Sequence, residues 1–270
     1  MSTFYVCPTP IGNLEDISER IVKTLHDVDV IYCEDTRRAK KLMDHFSIST
    51  PLRSYFVGNE MDKIDEIENT LKEDKDIALI SDAGTPLISD PGSELIRHLV
   101  SKKFEIVSIP GPTSVITALT VSGFEISKFQ FLGFIPKAGK ERSEFLVRLF
   151  NSDIPTVCFT SPKRVIKDLD YFEREGLDSE LVICRELTKK FETIYRGTAE
   201  SLKNQISENI KGEITIVVAP SQNKKNIDLD LDKAISVLIE QKVPKRELAK
   251  ALSLVTDMSV NDLYERVKDL

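Results

Sequence analysis

The sequence predicts an α/β protein made of two α/β domains in series and a small helical segment at its C-terminal end. Three observations carry that expectation. Short β-branched runs alternate with amphipathic helical stretches through the first hundred residues. Two of those runs, at 77–80 and 106–109, are apolar without alternation, the mark of strands covered on both faces of a mainly parallel sheet. Past Ser122-Gly123 the rhythm restarts with strands in direct succession, which gives the second layer more antiparallel character.

The elements follow in order. Strands are expected at 4–7, 28–32, 77–80 and 106–109, and helices at 17–25, 37–46, 61–71 and 94–100. A hinge near 110–128 leads to strands at 129–134, 156–159, 181–184, 193–196 and 213–218, with helices at 142–150, 165–175 and 199–206. The polar stretch 220–226 lacks an apolar period and reads as a linker. Helices at 231–240, 245–254 and 260–267 close the chain, with Pro244 and Ser259 as helix-start residues. The expected domains are 1–118, 119–220 and 227–270.

Composition narrows the function classes. The chain has 270 residues, 41% hydrophobic and 30% charged, which is ordinary for a folded protein and excludes a low-complexity or collagenous one. No uncharged apolar run reaches the length of a membrane span, and the opening lacks a secretory leader, so a cytoplasmic location is expected. Cys7, Cys33, Cys158 and Cys184 lie in or beside apolar runs without C-x-x-C spacing and read as reduced, packed thiols. His26, His45 and His98 fall in helical stretches, so no metal site is expected. The net charge of −7 sits wholly in the first half, whereas 136–167 carries a local surplus of four positive charges. That surplus reads either as a solvated helix face or as a nucleic-acid track.

Chemistry should lie beyond the carboxyl ends of the parallel strands, where open α/β sheets bind ligands. The loop Ser81-Asp82-Ala83-Gly84-Thr85-Pro86-Leu87-Ile88-Ser89-Asp90-Pro91-Gly92 follows a buried strand, with Asp90 expected as N-cap and Pro91 as first residue of the next helix. Thr9-Pro10-Ile11-Gly12-Asn13-Leu14 and Pro110-Gly111-Pro112-Thr113-Ser114 end two other strands on the same rim. None has the G-x-G-x-x-G or phosphate-loop pattern, so neither a dinucleotide nor a nucleoside triphosphate is indicated. Glu34-Asp35-Thr36-Arg37-Arg38 ends the second strand; its carboxylates can orient a hydroxyl or accept its proton, or can cap the next helix.

These motifs, followed by Gly133-Phe134-Ile135-Pro136 and Arg185-Glu186-Leu187-Thr188-Lys189, resemble in order those of the small-subunit ribosomal RNA methyltransferases of the tetrapyrrole-methylase superfamily. The resemblance implies two α/β domains with a cleft between them, S-adenosyl-L-methionine as methyl donor, and the ribose 2′-oxygen of a cytidine in the decoding region of 16S ribosomal RNA as acceptor. It also implies a homodimer that acts on that RNA or the assembled small subunit. The cofactor would meet Pro10, Ser81, Asp82, Ala83, Gly84, Leu87 and Ser114, with Phe159, Thr160 and Glu213 added by strand order. Glu34 or Asp35 would take the acceptor proton, and Arg37 and Lys189 would steer phosphates. Lys137, Lys140, Arg142, Lys163 and Arg164, with Lys190, Lys242, Lys245 and Lys250, would form the RNA track. The chain departs from the family pattern before Asn59-Glu60, where histidines are missing, and at Thr160 and Lys163, where glutamate and histidine are common. Two rival readings are a methylase of a corrin or other tetrapyrrole, with an apolar acceptor pocket, and a non-catalytic RNA-binding factor on the same scaffold.

Overall fold

The computed structural model describes residues 2–207, 209–221, 235, 243–253 and 259–268. The chain forms two compact units, Met1–Gln222 and Asn223–Leu270. Most of the expected linker, the expected helix at 231–240 apart from Ile235, and Lys242 lie outside the described residues.

The first unit begins with a five-stranded parallel sheet. Its strands are β1 (Thr3–Cys7), β2 (Val30–Cys33), β3 (Leu52–Ser54), β4 (Ile77–Ile80) and β5 (Glu105–Ser108), in the order β3-β2-β4-β1-β5. Successive side chains of a strand face opposite sides, which explains why the central runs are apolar throughout. Ile31, Cys33, Ala78 and Ile80 pack under α1 (Glu19–Asp27) and α2 (Thr36–His45). Their neighbours Val30, Tyr32, Ile77 and Leu79 pack on the other face under α3 (Glu60–Lys72) and α4 (Ser93–Ser101). The expected helix at 17–25 starts two residues later because Ser18 is its cap, accepting from the Ile21 N–H. Val28 closes that helix, so the next strand begins at Val30.

A second sheet has the order β6-β7-β10-β8-β9, from β6 (Gln130–Phe134), β7 (Thr156–Thr160), β8 (Leu181–Arg185), β9 (Thr193–Gly197) and β10 (Ile214–Val218). Only β6 and β7 are parallel; the other pairs are antiparallel. Helices α6 (Gly139–Phe150), α7 (Val165–Arg174) and α8 (Ala199–Gln205) cover one face through Leu149, Leu169, Phe172 and Leu202. The other face, with Val157, Val182 and Val217, meets α5 (Ser114–Thr120) together with Ile11 and Leu187. Helix α5 was not expected: it occupies the anticipated hinge, spans position 118, and packs on the second sheet.

In the C-terminal unit, Leu248, Ala249 and Leu252 of α9 (Lys245–Ser253) pack with Leu263 and Val267 of α10 (Val260–Lys268) and with Ile235. The Pro244 carbonyl accepts the Leu248 N–H, and the Ser259 hydroxyl accepts the Asp262 N–H, so both residues sit at helix starts. The four cysteines are buried and free, and burial pushes the thiols of Cys7, Cys33 and Cys184 up to about 12, which keeps them unreactive. Among the described residues no helix is long and apolar enough to cross a membrane.

Candidate active site

The loops after β1, β2, β4 and β5 are stitched into one rim. Thr9 and Gly84 exchange backbone hydrogen bonds of 2.9 and 3.0 Å, and the Thr9 hydroxyl donates to the Ser81 carbonyl at 3.0 Å. The Ser81 hydroxyl donates to the Gly84 carbonyl at 2.7 Å, and the Thr85 hydroxyl to the Pro112 carbonyl at 3.1 Å. Asp82 joins the β2 loop, accepting the Asp35 N–H at 3.2 Å and an Arg38 Nη1–H at 2.9 Å. Leu87 and Ser89 have φ of +75° and +68°, a costly backbone for side-chain-bearing residues and one that clusters at functional sites.

This rim faces the ends of β6, β7, β8 and β10 across a cavity of about 440 Å³. The first sheet contributes Ile11, Glu34, Arg38, the chain from Asp82 to Thr85, the chain from Ile88 to Asp90, and Thr113. The second contributes Phe134, Phe159, Thr160, Ser161, Pro162, Cys184 and Leu187, with the chain from Gly212 to Thr215. Ser114 and Val115 of α5 form the floor between them.

Asp90 is the feature that sequence reasoning assigned elsewhere. It was expected to cap α4, but the N-cap is Gly92, with φ of +125°, a conformation open to glycine. The acceptor for the Gly92 N–H is Glu60, at 2.6 Å, which also takes the Tyr55 hydroxyl at 3.2 Å. With Glu60 serving the helix, Asp90 lines the cavity, half-buried and without a hydrogen-bond or ion-pair partner among the described residues. Burial, reinforced by the nearby charges of Glu34 and Asp82, pushes its carboxyl up to about 6.

Of the expected cofactor residues, Asp82, Ala83, Gly84, Ser114, Phe159, Thr160 and Glu213 line the cavity. Pro10, Ser81 and Leu87 do not. Ser81 is buried as a brace for the loop, Leu87 packs against the α3–α4 core, and Ile11 takes the wall position beside Pro10. Glu34 lines the cavity, whereas Asp35 turns to the start of α2. Asp35 accepts the Arg37 N–H at 2.9 Å and the Arg37 guanidinium at 2.9 and 3.1 Å, which holds its carboxyl down at about 2. Arg38 was not among the expected site residues; its place one residue after Arg37 on α2 is the signal that could have found it.

The model of the tetrapyrrole (corrin/porphyrin) methylase family matches residues 3–203. The protein named ribosomal RNA small subunit methyltransferase I of Mycoplasmopsis pulmonis is 42% identical over 219 residues, 80% of this chain and 97% of that one. The protein of the same name from Vibrio cholerae is 37% identical over 267 residues, 97% of this chain and 92% of that one. The chain belongs to the ribosomal RNA small subunit methyltransferase I family. A solved cobalamin biosynthetic enzyme, cobalt precorrin-4 methyltransferase, has the same fold, with a TM-score of 0.62 at 19% identity over 80% of this chain and 94% of that one.

The expected RNA-track residues of this methyltransferase divide by environment. Lys137, Lys140 and Lys163 are exposed, and Lys140 has only a loose pair with Glu144 at 3.5 Å. Arg142 and Arg164 differ from expectation, because both are drawn inward to buried Asp168, at 3.0 and 3.4 Å. They also donate to the Pro136 carbonyl, and Arg164 to that of Ile135, so they fasten the β6–α6 turn to α7. Asp168 accepts the Thr160 hydroxyl at 2.5 Å as well, which ties the cavity wall to this clamp. Lys189 bridges Glu186 and Glu213, both at 2.9 Å, while Arg37 is exposed and held by Asp35.

Proposed function

We propose that this enzyme transfers the methyl group of S-adenosylmethionine to the ribose 2′-oxygen of a cytidine in the decoding region of small-subunit ribosomal RNA, presented free or in the assembled subunit, and that it works as a cytoplasmic homodimer. One observation carries the donor: an acidic cavity with a half-buried Asp90 that has no partner among the described residues. Glu34, Asp82, Asp90 and Glu213 outnumber Arg38 there, an arrangement that attracts a ligand carrying a sulfonium and an ammonium group and repels a polyphosphate. Ile11, Val115 and Phe159 add apolar surface that fits a purine.

When bound, S-adenosylmethionine supplies a methyl group on positively charged sulfur, so the protein's task is alignment more than charge stabilisation. The acceptor hydroxyl would be aligned with that methyl group by the cavity walls, and its proton would be taken by a carboxylate. Glu34 takes that role because it faces the cavity, a contribution of about 10²–10⁴ in rate. Asp35 is too weak a base once Arg37 has claimed both its oxygens.

The test is to map ribose methylation on small-subunit RNA, both free and in the assembled subunit, incubated with the protein and S-adenosylmethionine. A new 2′-O-methyl at a decoding-region cytidine is expected. Donor binding by calorimetry without any RNA methylation would favour a small-molecule acceptor, and the absence of donor binding would leave a non-catalytic RNA binder.

A further inference from the structure

The strand β6 contains a β-bulge whose effect is to expose an aromatic ring at the cavity mouth. In the β6–β7 ladder Phe131 stands opposite Val157 and Phe134 opposite Phe159, so Leu132 and Gly133 on one strand stand against Cys158 alone on the other. Strict alternation would send Phe134 to the α6–α7 side with Leu132. The extra residue, with Gly133 at φ of +72°, returns Phe134 to the cleft side, the re-aiming that bulges provide. Phe131, Phe159 and Phe134 form a row of edge-to-face contacts at 4.9 and 5.2 Å, and the outermost ring, Phe134, is 60% exposed. Two exposed lysines belong to the segments that follow the paired strand ends: Lys137 comes three residues after Phe134, Lys163 lies in the turn after β7, and neither has a carboxylate within ion-pair distance among the described residues. An exposed aromatic face anchored by a ring behind it, at the mouth of a reaction cavity and with exposed lysines on the segments that follow, is the chemistry that receives an unstacked base.

We propose that Phe134 is the platform on which the acceptor nucleobase stacks once it has swung out of its own stack, so that the enzyme methylates an extruded nucleotide held beside the donor cavity. The inference rests on the RNA-methylating function proposed above. It assigns the exposed lysines to the flanking phosphates and the ring to the base, which allows the ribose to present its hydroxyl to the cavity.

The experiment compares the full chain with Phe134→Leu and Phe134→Tyr, using a decoding-region RNA hairpin with the fluorescent analogue pyrrolocytidine at the acceptor position and an unsubstituted hairpin for rates. For Phe134→Leu, kcat/KM for RNA should fall about ten- to a hundred-fold, the loss expected for one base–aromatic stack. Its pyrrolocytidine signal on binding should disappear, while its affinity for S-adenosylmethionine falls far less than its kcat/KM for RNA, because the ring only edges the donor cavity. Phe134→Tyr, which keeps the π face, should remain within a few-fold of wild type. Wild-type rates and signal in Phe134→Leu would overturn the proposal, as would a parallel loss of donor affinity or a change in oligomeric state. A wild-type protein that binds the donor yet methylates neither the hairpin nor the small-subunit RNA, free or assembled, would instead refute the function on which the inference rests.

Discussion

Replacing Asp90 by asparagine should stabilise the ligand-free enzyme and weaken its hold on the donor. The carboxyl is pushed up to about 6 from an ordinary 3.8 because burial and the charges of Glu34 and Asp82 disfavour its ionised form. At about 1.36 kcal/mol per unit, keeping it charged costs the fold up to about 3 kcal/mol, which water at the cleft mouth trims to about 1–2 kcal/mol. The α4 N-terminus returns about 0.3–1 kcal/mol, too little to reverse the sign. Because the folded-state value lies above the unfolded one, the cost is absent below about pH 4, grows between about pH 4 and 6, and is constant above that. Thermal melts of donor-free protein should therefore show Asp90→Asn melting a few degrees above wild type at pH 8, with the gap closing toward pH 4. Calorimetry at pH 8 should show S-adenosylmethionine affinity reduced about ten- to a hundred-fold through loss of a charge-assisted contact. An Asp90→Asn protein that melts below wild type at pH 8, or a gap that does not change with pH, would refute the reasoning.

Three other perturbations separate structural from functional charge. Asp168→Ala leaves Arg142 and Arg164 partly buried without their carboxylate, and should lower stability by about 3–5 kcal/mol in urea unfolding. Glu60→Gln weakens the acceptor for Gly92 and Tyr55 and should cost about 1–2 kcal/mol, together with weaker donor binding as the 85–92 loop loses its anchor. Neutralising Lys137 and Lys163 together should reduce the salt dependence of RNA binding, the logarithmic slope falling by about 1.4 for a single strand, with donor affinity unchanged by calorimetry.

Much of the fold was legible because strands buried on both faces leave unbroken apolar runs, as at Ile77–Ile80, and because Ser18 and Ser259 mark helix starts chemically. Strand β3 was missed because Leu52–Ser54 is a three-residue edge with only half a hydrophobic pattern. Helix α5 was missed for a different reason. Its sequence, Ser-Val-Ile-Thr-Ala-Leu-Thr, is rich in β-branched residues that disfavour helix locally, and burial of Val115, Ala118 and Leu119 against the second sheet overrides that preference. In the site, the first-sheet loops were readable from their glycines and prolines. The second-sheet wall was only partly so: Phe134, Ser161 and Thr215 come together through strand pairings that separate them widely in sequence. Asp90 was misassigned because a helix start offers the same local pattern whether the capping carboxylate lies two residues away or, like Glu60, 32 residues away.

The parallel pairing of β6 with β7 has an engineering consequence. Two neighbouring strands that run the same way require a return passage over the sheet, and α6 is that passage. The turn that opens it, residues 135–138, leaves the sheet at the cavity end and carries Lys137 on its exposed side. Its inner half is fixed, Ile135 by the Phe159 carbonyl and Pro136 by Arg142 and Arg164, so only the outer half at 137–138 can change length without disturbing the hydrogen-bond register of either strand.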